Sequence, residues 1–368
     1  MSWITRFNDK EFHAPYKVAK ESDYYDDLRR RLTHFINKLK EADADEESIR
    51  IAKNYSEKVC ESIRDYNNGN ISSSHQKIEN LIKKCNNHKL AVEYVNNSRA
   101  FPGKKGSEIQ FYRARKEVDA VSLKQMDMLH IPFSFRGKSG NYRFSIPGVT
   151  SLYLANTSYG CWIEMGKPSE HDFYVSPVVL DGKQRIFNLA VATRILYELN
   201  DGSIDFVHCW VKLLILMMAT SYKIEEGNRS FKSEYIVSQS IMLACKKCGY
   251  DGVAYFSKQV EDELFAFSAV NLALFVNYRK RKEYGEICEH IKVDEPLNYQ
   301  LYRQLRESIK FNDYQMRIDG ARTPVNINGY TRPYSYKEME FYRYDKHLFA
   351  RWLDKDMIIW GNALQKLN

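Results

Sequence analysis

In YYDDLRRRLTHFINKLKEA, Leu28, Leu32, Phe35 and Leu39 recur every three or four residues, and charged side chains fill the opposite face. That spacing predicts an amphipathic helix. Ile49, Ile51, Tyr55, Val59 and Ile63 repeat the pattern in ADEESIRIAKNYSEKVCESIRDYNNGN, which closes on an Asn-Asn-Gly-Asn stop. SSSHQKIENLIKKCNNHK adds a third, shorter helix behind its serines. Three amphipathic helices over residues 20–95 predict a small bundle, and nothing in them resembles an active site.

At 96–108 the stretch NNSRAFPGKKGSE breaks this rhythm with Gly, Pro and Lys. Short apolar and aromatic runs between turn residues follow. IQFYRAR (109–115), YRFS, SLYLA, FYVSPVVLD and RIFNLA read as strands. Helices are predicted over 204–220 and 233–248, with Gly249 as the C-terminal cap of the second. DGVAYFS and AFSAVNLALFV close the region near 277. The remainder, 278–368, opens on the basic run NYRKRKEYGE and carries interleaved tyrosines and charges, as in RPYSYKEMEFYRYDKHLFARW. No period of 20–50 residues recurs, which excludes a repeat protein.

With 368 residues and 44% hydrophobic content, the chain can bury a core of two domains, or of one with large extensions. The formal charge of +8 favours an anionic partner over a neutral one, although a solvated basic surface explains it equally well. Arginine and lysine among aromatics in the tail suit stacking on nucleic acid. The 47 acidic residues dilute that grip, so nucleic acid is not the favoured partner. A packed extension, or a surface for another subunit, is preferred.

Seven cysteines without framework spacing read as reduced thiols of a cytoplasmic protein. Cys245-Lys-Lys-Cys248 stands alone, short of the four ligands of a tetrahedral zinc site, so no metal is expected. The apolar run LLILMMA (213–219) is too short to span a bilayer and reads as a buried helix. The polar N-terminus lacks the apolar core of a signal peptide. No membrane partner is expected.

One stretch concentrates candidate chemistry: NYRFSIPGVTSLYLANTSYGCWIEM, residues 141–165. Strand alternation would put Arg143 and Ser145 on one side of YRFS, with Tyr142 and Phe144 on the other. Pro147-Gly148 would turn the chain back so that SLYLA sets Tyr153 near Arg143. Thr157 or Ser158 would cap a helix that brings Glu164 to the pair. Taken alone, an ordinary Arg–Glu ion pair beside a strand tyrosine accounts for all of it.

Three pieces together resemble the RES domain, a family named for its arginine, glutamate and serine. They are FYRAR, the RFS…G…LYLA…E block at 143–164, and GYDGVAYFS followed by NLALF after a helix beginning EYIVSQ. Arg143, Tyr153 and Glu164 look like the family's arginine–tyrosine–glutamate core, Ser257 like its serine and Arg113 like its early arginine. The resemblance covers roughly 109–277. Residues 1–100 resemble the HEPN-like helical extensions before some RES domains, and 278–368 would be a C-terminal extension.

The resemblance implies an α+β, ADP-ribosyltransferase-like fold and NAD+ as substrate. It implies a toxin or defence effector that cleaves the nicotinamide–ribose bond by hydrolysis or phosphorolysis. An antitoxin or regulatory protein would be its partner, with a homo-oligomer left open. One alternative is transfer of ADP-ribose to a protein or nucleic acid. Another is an inactive nucleic-acid-binding module. The residue types suit the cleavage. A carboxylate such as Glu164 stabilises oxocarbenium character at the ribose. Arg143 and Arg113 can grip a pyrophosphate. Tyr153 or Tyr112 can wall a nicotinamide ring. Ser257 can position a carboxamide or ribose, and Asn271 a ribose. Water, phosphate and a macromolecule all remain open as acceptors.

Overall fold

Asp23 and Asp45 each stand at the start of a helix and accept a bond from a backbone N–H three residues on, at 2.8 Å in both cases. In this computed structural model, residues 3–4, 7, 12–86, 88–106, 108–117, 123–191, 203–260, 268–279, 282–306, 322–327 and 330–353 are described. The first half of the chain runs α1 (Tyr24–Glu41), α2 (Glu46–Asn67), α3 (Ile71–Lys83), β1 (Val92–Tyr94), β2 (Ile109–Lys116), β3 (Ser151–Ala155), α4 (Ser158–Glu164), β4 (Phe173–Leu180) and β5 (Arg185–Asn188). Then come α5 (Ile204–Thr220), α6 (Ile236–Lys247), β6 (Gly252–Phe256), β7 (Val270–Phe275), β8 (Ile291–Val293), β9 (Leu297–Asn298), α7 (Tyr299–Leu305), β10 (Arg322–Ile327), β11 (Tyr330–Ser335) and α8 (Glu340–Leu353). The fold class is α+β. Two compact units share these elements.

The first unit comprises Met1–Glu93, Asn141–Ile146 and Arg185–Glu263. Its helices bury the faces that the spacing predicts, with Leu28, Leu32, Phe35 and Leu39 of α1 and Tyr55, Val59 and Ile63 of α2 inside. α5 is buried around most of its circumference, as a helix so largely apolar must be in water, and LLILMMA lies wholly inside. Trp210 meets the rings of Phe7 and Phe35 there at 5.9 and 6.5 Å between centroids. α6 ends on Gly249, whose φ of +74° suits a left-handed cap, and the N–H of Tyr250 returns to the carbonyl of Cys245. β6 then pairs in parallel with β5, Phe187 beside Val253.

The second unit comprises Tyr94–Gly140, Pro147–Gln184 and Leu264–Asn368. Its strands lie in the order β7-β3-β2-β4-β8, with β9 also on β4 and every pairing antiparallel. β10 and β11 form a separate hairpin. Tyr112, Ala155, Cys161, Phe173 and Val175 cluster with Tyr299, Tyr302, Tyr344 and Leu348 from the C-terminal segment, so the tail's aromatics serve as core. Each such side chain stabilises the unit by roughly 1.5–3 kcal/mol on burial.

The strand expected at 142–145 is not formed. Tyr142 and Ser145 exchange backbone bonds at 3.3 Å, a tight turn. The side-chain amide of Gln239 on α6 donates to the carbonyls of Tyr142 at 3.1 Å and Ser145 at 3.0 Å. Those acceptors are engaged locally, and both edges of β3 pair elsewhere, with β2 and β7. Arg143, Phe144 and Ser145 are all buried and only Tyr142 is exposed, so the expected alternation of faces fails as well. Lys280 and Arg281 of the basic run lie outside the described residues. Among the described residues no helix is long and apolar enough to cross a membrane.

Candidate active site

Thr157 sets the start of α4: its hydroxyl oxygen accepts from the Gly160 N–H at 2.9 Å while its O–H donates to the Ser268 carbonyl at 2.5 Å. Seven residues on, the helix ends at Glu164, whose side chain is exposed. Asn271, opposite Ala155 in the β3–β7 ladder and 4% exposed, donates its side-chain amide to Glu164 Oε1 at 2.7 Å. Period-two alternation puts Tyr153, paired with Ala273, on the same face as Ala155 and Asn271. Arg113 donates from Nη1 to the Tyr153 carbonyl at 3.0 Å. The second unit thus gathers Tyr153, Asn271 and Glu164 at β3, β7 and the end of α4, whereas Arg113, next to the Tyr112 that pairs with Ala155, faces the other side of β2 and meets Tyr153 at its backbone.

Tyr112 requires a correction. It is 0% exposed, packed among Phe173, Tyr299 and Tyr344, and its hydroxyl accepts from Gln110 Nε2 at 2.9 Å. A ring closed off in this way is core and does not wall a ligand. Of the aromatics that close it off, Tyr299 and Tyr344 lie almost 190 or more residues later in the chain, beyond the reach of local pattern.

Arg143 and Ser257 belong to the first unit. The Arg143 guanidinium is buried and donates to the Phe256 carbonyl at 3.1 Å, Thr220 Oγ1 at 3.3 Å and Ser221 Oγ at 3.2 Å. It lies 4.7 Å from the Tyr255 ring centroid, within cation–π range. Ser257, the next residue after its carbonyl partner, is 5% exposed and accepts from the Gln259 N–H at 3.1 Å. The strand pair that was to carry Arg143 to Tyr153 is absent, because 142–145 turns instead.

Gln239, which shapes that turn, and Thr220 and Ser221, which receive the guanidinium, were not evident as site residues in the sequence. A glutamine between two serines in the first turn of a largely buried helix was the available signal for the first. The expectation that Asn271 orients a ribose meets a nearer role, since it orients Glu164. His130, also in the second unit, is a buried ring held beside Tyr278 and Tyr284. Burial lowers its pKa to about 4, and Nε2 accepts from the Gly285 N–H at 3.0 Å. Among the described residues no group of three or more His, Cys, Asp or Glu could hold a metal ion. Cys245 and Cys248 fall at the end of α6.

A carboxylate held at the surface by a buried amide can face a developing positive charge without first reorganising. The class defined so far is an α+β protein with that feature. No family model matches the sequence. The chain is similar to a putative toxin, YopC of Bacillus subtilis (strain 168), 28% identical over 221 residues, which are 54% of this chain and 48% of that protein. It spans about half the length of this curated relative. Among solved structures, the M. tuberculosis MbcT–MbcA toxin–antitoxin complex aligns at 14% identity and a TM-score of 0.31, over 62% of this chain and 97% of that one.

Proposed function

We propose that this chain is a RES-type, NAD+-consuming enzyme with an ADP-ribosyltransferase-like catalytic region over 109–277, acting as a toxin or defence effector in the cytoplasm. The observation that carries the reading is the exposed Glu164 carboxylate fixed by buried Asn271, with Tyr153 and Arg113 on neighbouring strands. The name of the YopC relative, a putative toxin, supports the biological role. Residues 1–100 and 278–368 are read as extensions, and an antitoxin or regulatory protein as the partner that restrains the activity.

Nicotinamide is cationic in NAD+ and leaves as a neutral ring. The ribose–nitrogen bond breaks with its electron pair going to the ring nitrogen, so no general acid is required. Positive charge builds at the ribose carbon, where the Glu164 carboxylate stabilises it or grips the ribose hydroxyls. Water then forms the new carbon–oxygen bond and releases a proton; phosphate in its place gives ADP-ribose 1''-phosphate. Tyr153 supplies an aromatic face for the flat ring, and Arg113 a guanidinium for the pyrophosphate. Arg143 and Ser257 enter the proposal individually, as a candidate anion contact and a positioning hydroxyl, each to be tested by its own variant.

The test is to incubate purified protein with NAD+ and identify the products. Nicotinamide with ADP-ribose or its phosphate supports the reading. Label from NAD+ on a macromolecule makes the protein an ADP-ribosyltransferase instead. Salt-sensitive binding of RNA or DNA with no binding of NAD+ would favour the inactive nucleic-acid module.

A further inference from the structure

α4 is only seven residues long, too short to hold its own shape in water. Its far end is tied through Glu164 to Asn271. Its near end is tied to the C-terminal segment. Asp345 on α8 is 0% exposed, and the backbone N–H of Ser158, the first residue of α4, donates to its two oxygens at 3.2 and 3.4 Å. Tyr336 just before α8 donates its hydroxyl to the same carboxyl at 2.6 Å. Around this contact Phe341 lies 5.5 Å from the Tyr159 ring and 5.4 Å from that of Trp162, both on α4.

We propose that Asp345 is a positioning residue for Glu164: from α8 it pins the first turn of α4 and so fixes the helix whose last residue is the candidate carboxylate. The inference rests on the reading of Glu164 above. Among the described residues no cation pairs with Asp345 at contact distance, although Lys104 acts on it from a longer range. Burying a carboxyl without a paired cation is costly, and an apolar side chain of similar volume would avoid that cost. Here the carboxyl supplies what no apolar residue can: an acceptor for the N–H at the start of α4 and for the Tyr336 hydroxyl. Ser158 and Glu164 are about 9 Å apart along a helix axis. A tilt allowed at the first residue is therefore delivered to the carboxylate at the last.

The test uses the full chain with D345N, and Y336F as a milder variant that leaves the carboxyl in place and removes one donor. Two readouts are taken: amide hydrogen exchange across 158–164, and kcat and KM for nicotinamide release. The expected result for D345N is exchange across α4 about tenfold faster, with α1–α3 unchanged, and kcat at least tenfold lower with KM within about twofold. Y336F moves the same quantities in the same direction by less. Unchanged exchange and kcat in D345N overturn the proposal. So does faster exchange spread evenly over the second unit with kcat intact, which marks a merely structural role. Should D345N fail to fold, Y336F decides on the same criteria. The exchange arm needs no catalysis, so a wild type that leaves NAD+ intact refutes the reading of Glu164 while the pin is still judged on α4 exchange.

Discussion

Asn271 donates its side-chain amide to Glu164 at 2.7 Å, tying the start of β7 to the end of α4. The donor is buried and the acceptor exposed, so the strand dictates where the carboxylate points. Hydrogen bonds to charged groups contribute about 1.5–3 kcal/mol. Asn271→Ala is expected to lower kcat for nicotinamide release by at least about tenfold. The unfolding midpoint should move little, because the freed carboxylate returns to water. Single-turnover rates and a thermal melt check both halves.

Stability against pH should show two opposed groups in the second unit. Burial raises the pKa of Asp345 to about 7 and lowers that of His130 to about 4. A carboxyl raised on folding loses stability as pH rises from about 4 to 7; an imidazole lowered on folding loses it as pH falls from about 6.5 to 4. Among the described residues Lys104 is a cation acting on Asp345, and the titratable neighbours Tyr112, Tyr299, Tyr336, Tyr344 and Cys161 stay neutral in that window. D345N should therefore uncover a decline toward acid pH, and H130Q a decline toward neutral pH. The wild-type advantage over D345N should shrink by as much as about 4 kcal/mol between pH 4 and 7. Denaturant unfolding at several pH values measures it.

The first unit carries its own buried charge. Asp27 is fully buried and receives bonds from the Tyr222 hydroxyl at 2.8 Å and from Arg31 at 3.2 Å. Burial pushes its pKa up, but those donors and Arg30 outweigh it and hold it below the usual value. Asp27→Ala leaves the Arg31 guanidinium without its carboxylate and should cost about 3–5 kcal/mol. The stability that Asp27 confers is present above about pH 4 and is lost as pH falls through its lowered pKa. Asp27→Asn should flatten that acid limb in a pH series of urea melts.

Local pattern served best where burial is periodic. Leu28 to Leu39 and the apolar run of α5 stand where spacing put them, and of the two cap candidates Thr157 and Ser158 it is Thr157 that caps α4. It served worst where a distant side chain decides. The turn at 142–145 depends on Gln239, 94 residues or more away, and the burial of Tyr112 on Tyr299 and Tyr344. Asp345 passed unmarked among the interleaved charges and tyrosines of the tail. Its partner Ser158 lies 187 residues earlier. Period and capping are encoded within a few residues, whereas a polar contact across the unit leaves no trace in its neighbours.

Two glycines separate backbone conformation from crowding. Gly249 has a φ of +74° and open space around a would-be Cβ, so Gly249→Ala should cost only about 1 kcal/mol. At Gly182, φ is +76° and a Cβ would meet that of Asn96 at 2.6 Å. Gly182→Ala forces the backbone to shift and should cost about 2–3 kcal/mol. Urea midpoints with unchanged m-values would show the order; equal losses would refute it.

Glu164 is the residue on which cleavage depends, and the rate of nicotinamide release from NAD+ by the purified chain and by E164Q tests that dependence most directly. Many turnovers by the wild type and at least a hundredfold loss in E164Q are predicted. Release by neither protein, or equal release by both, would contradict it.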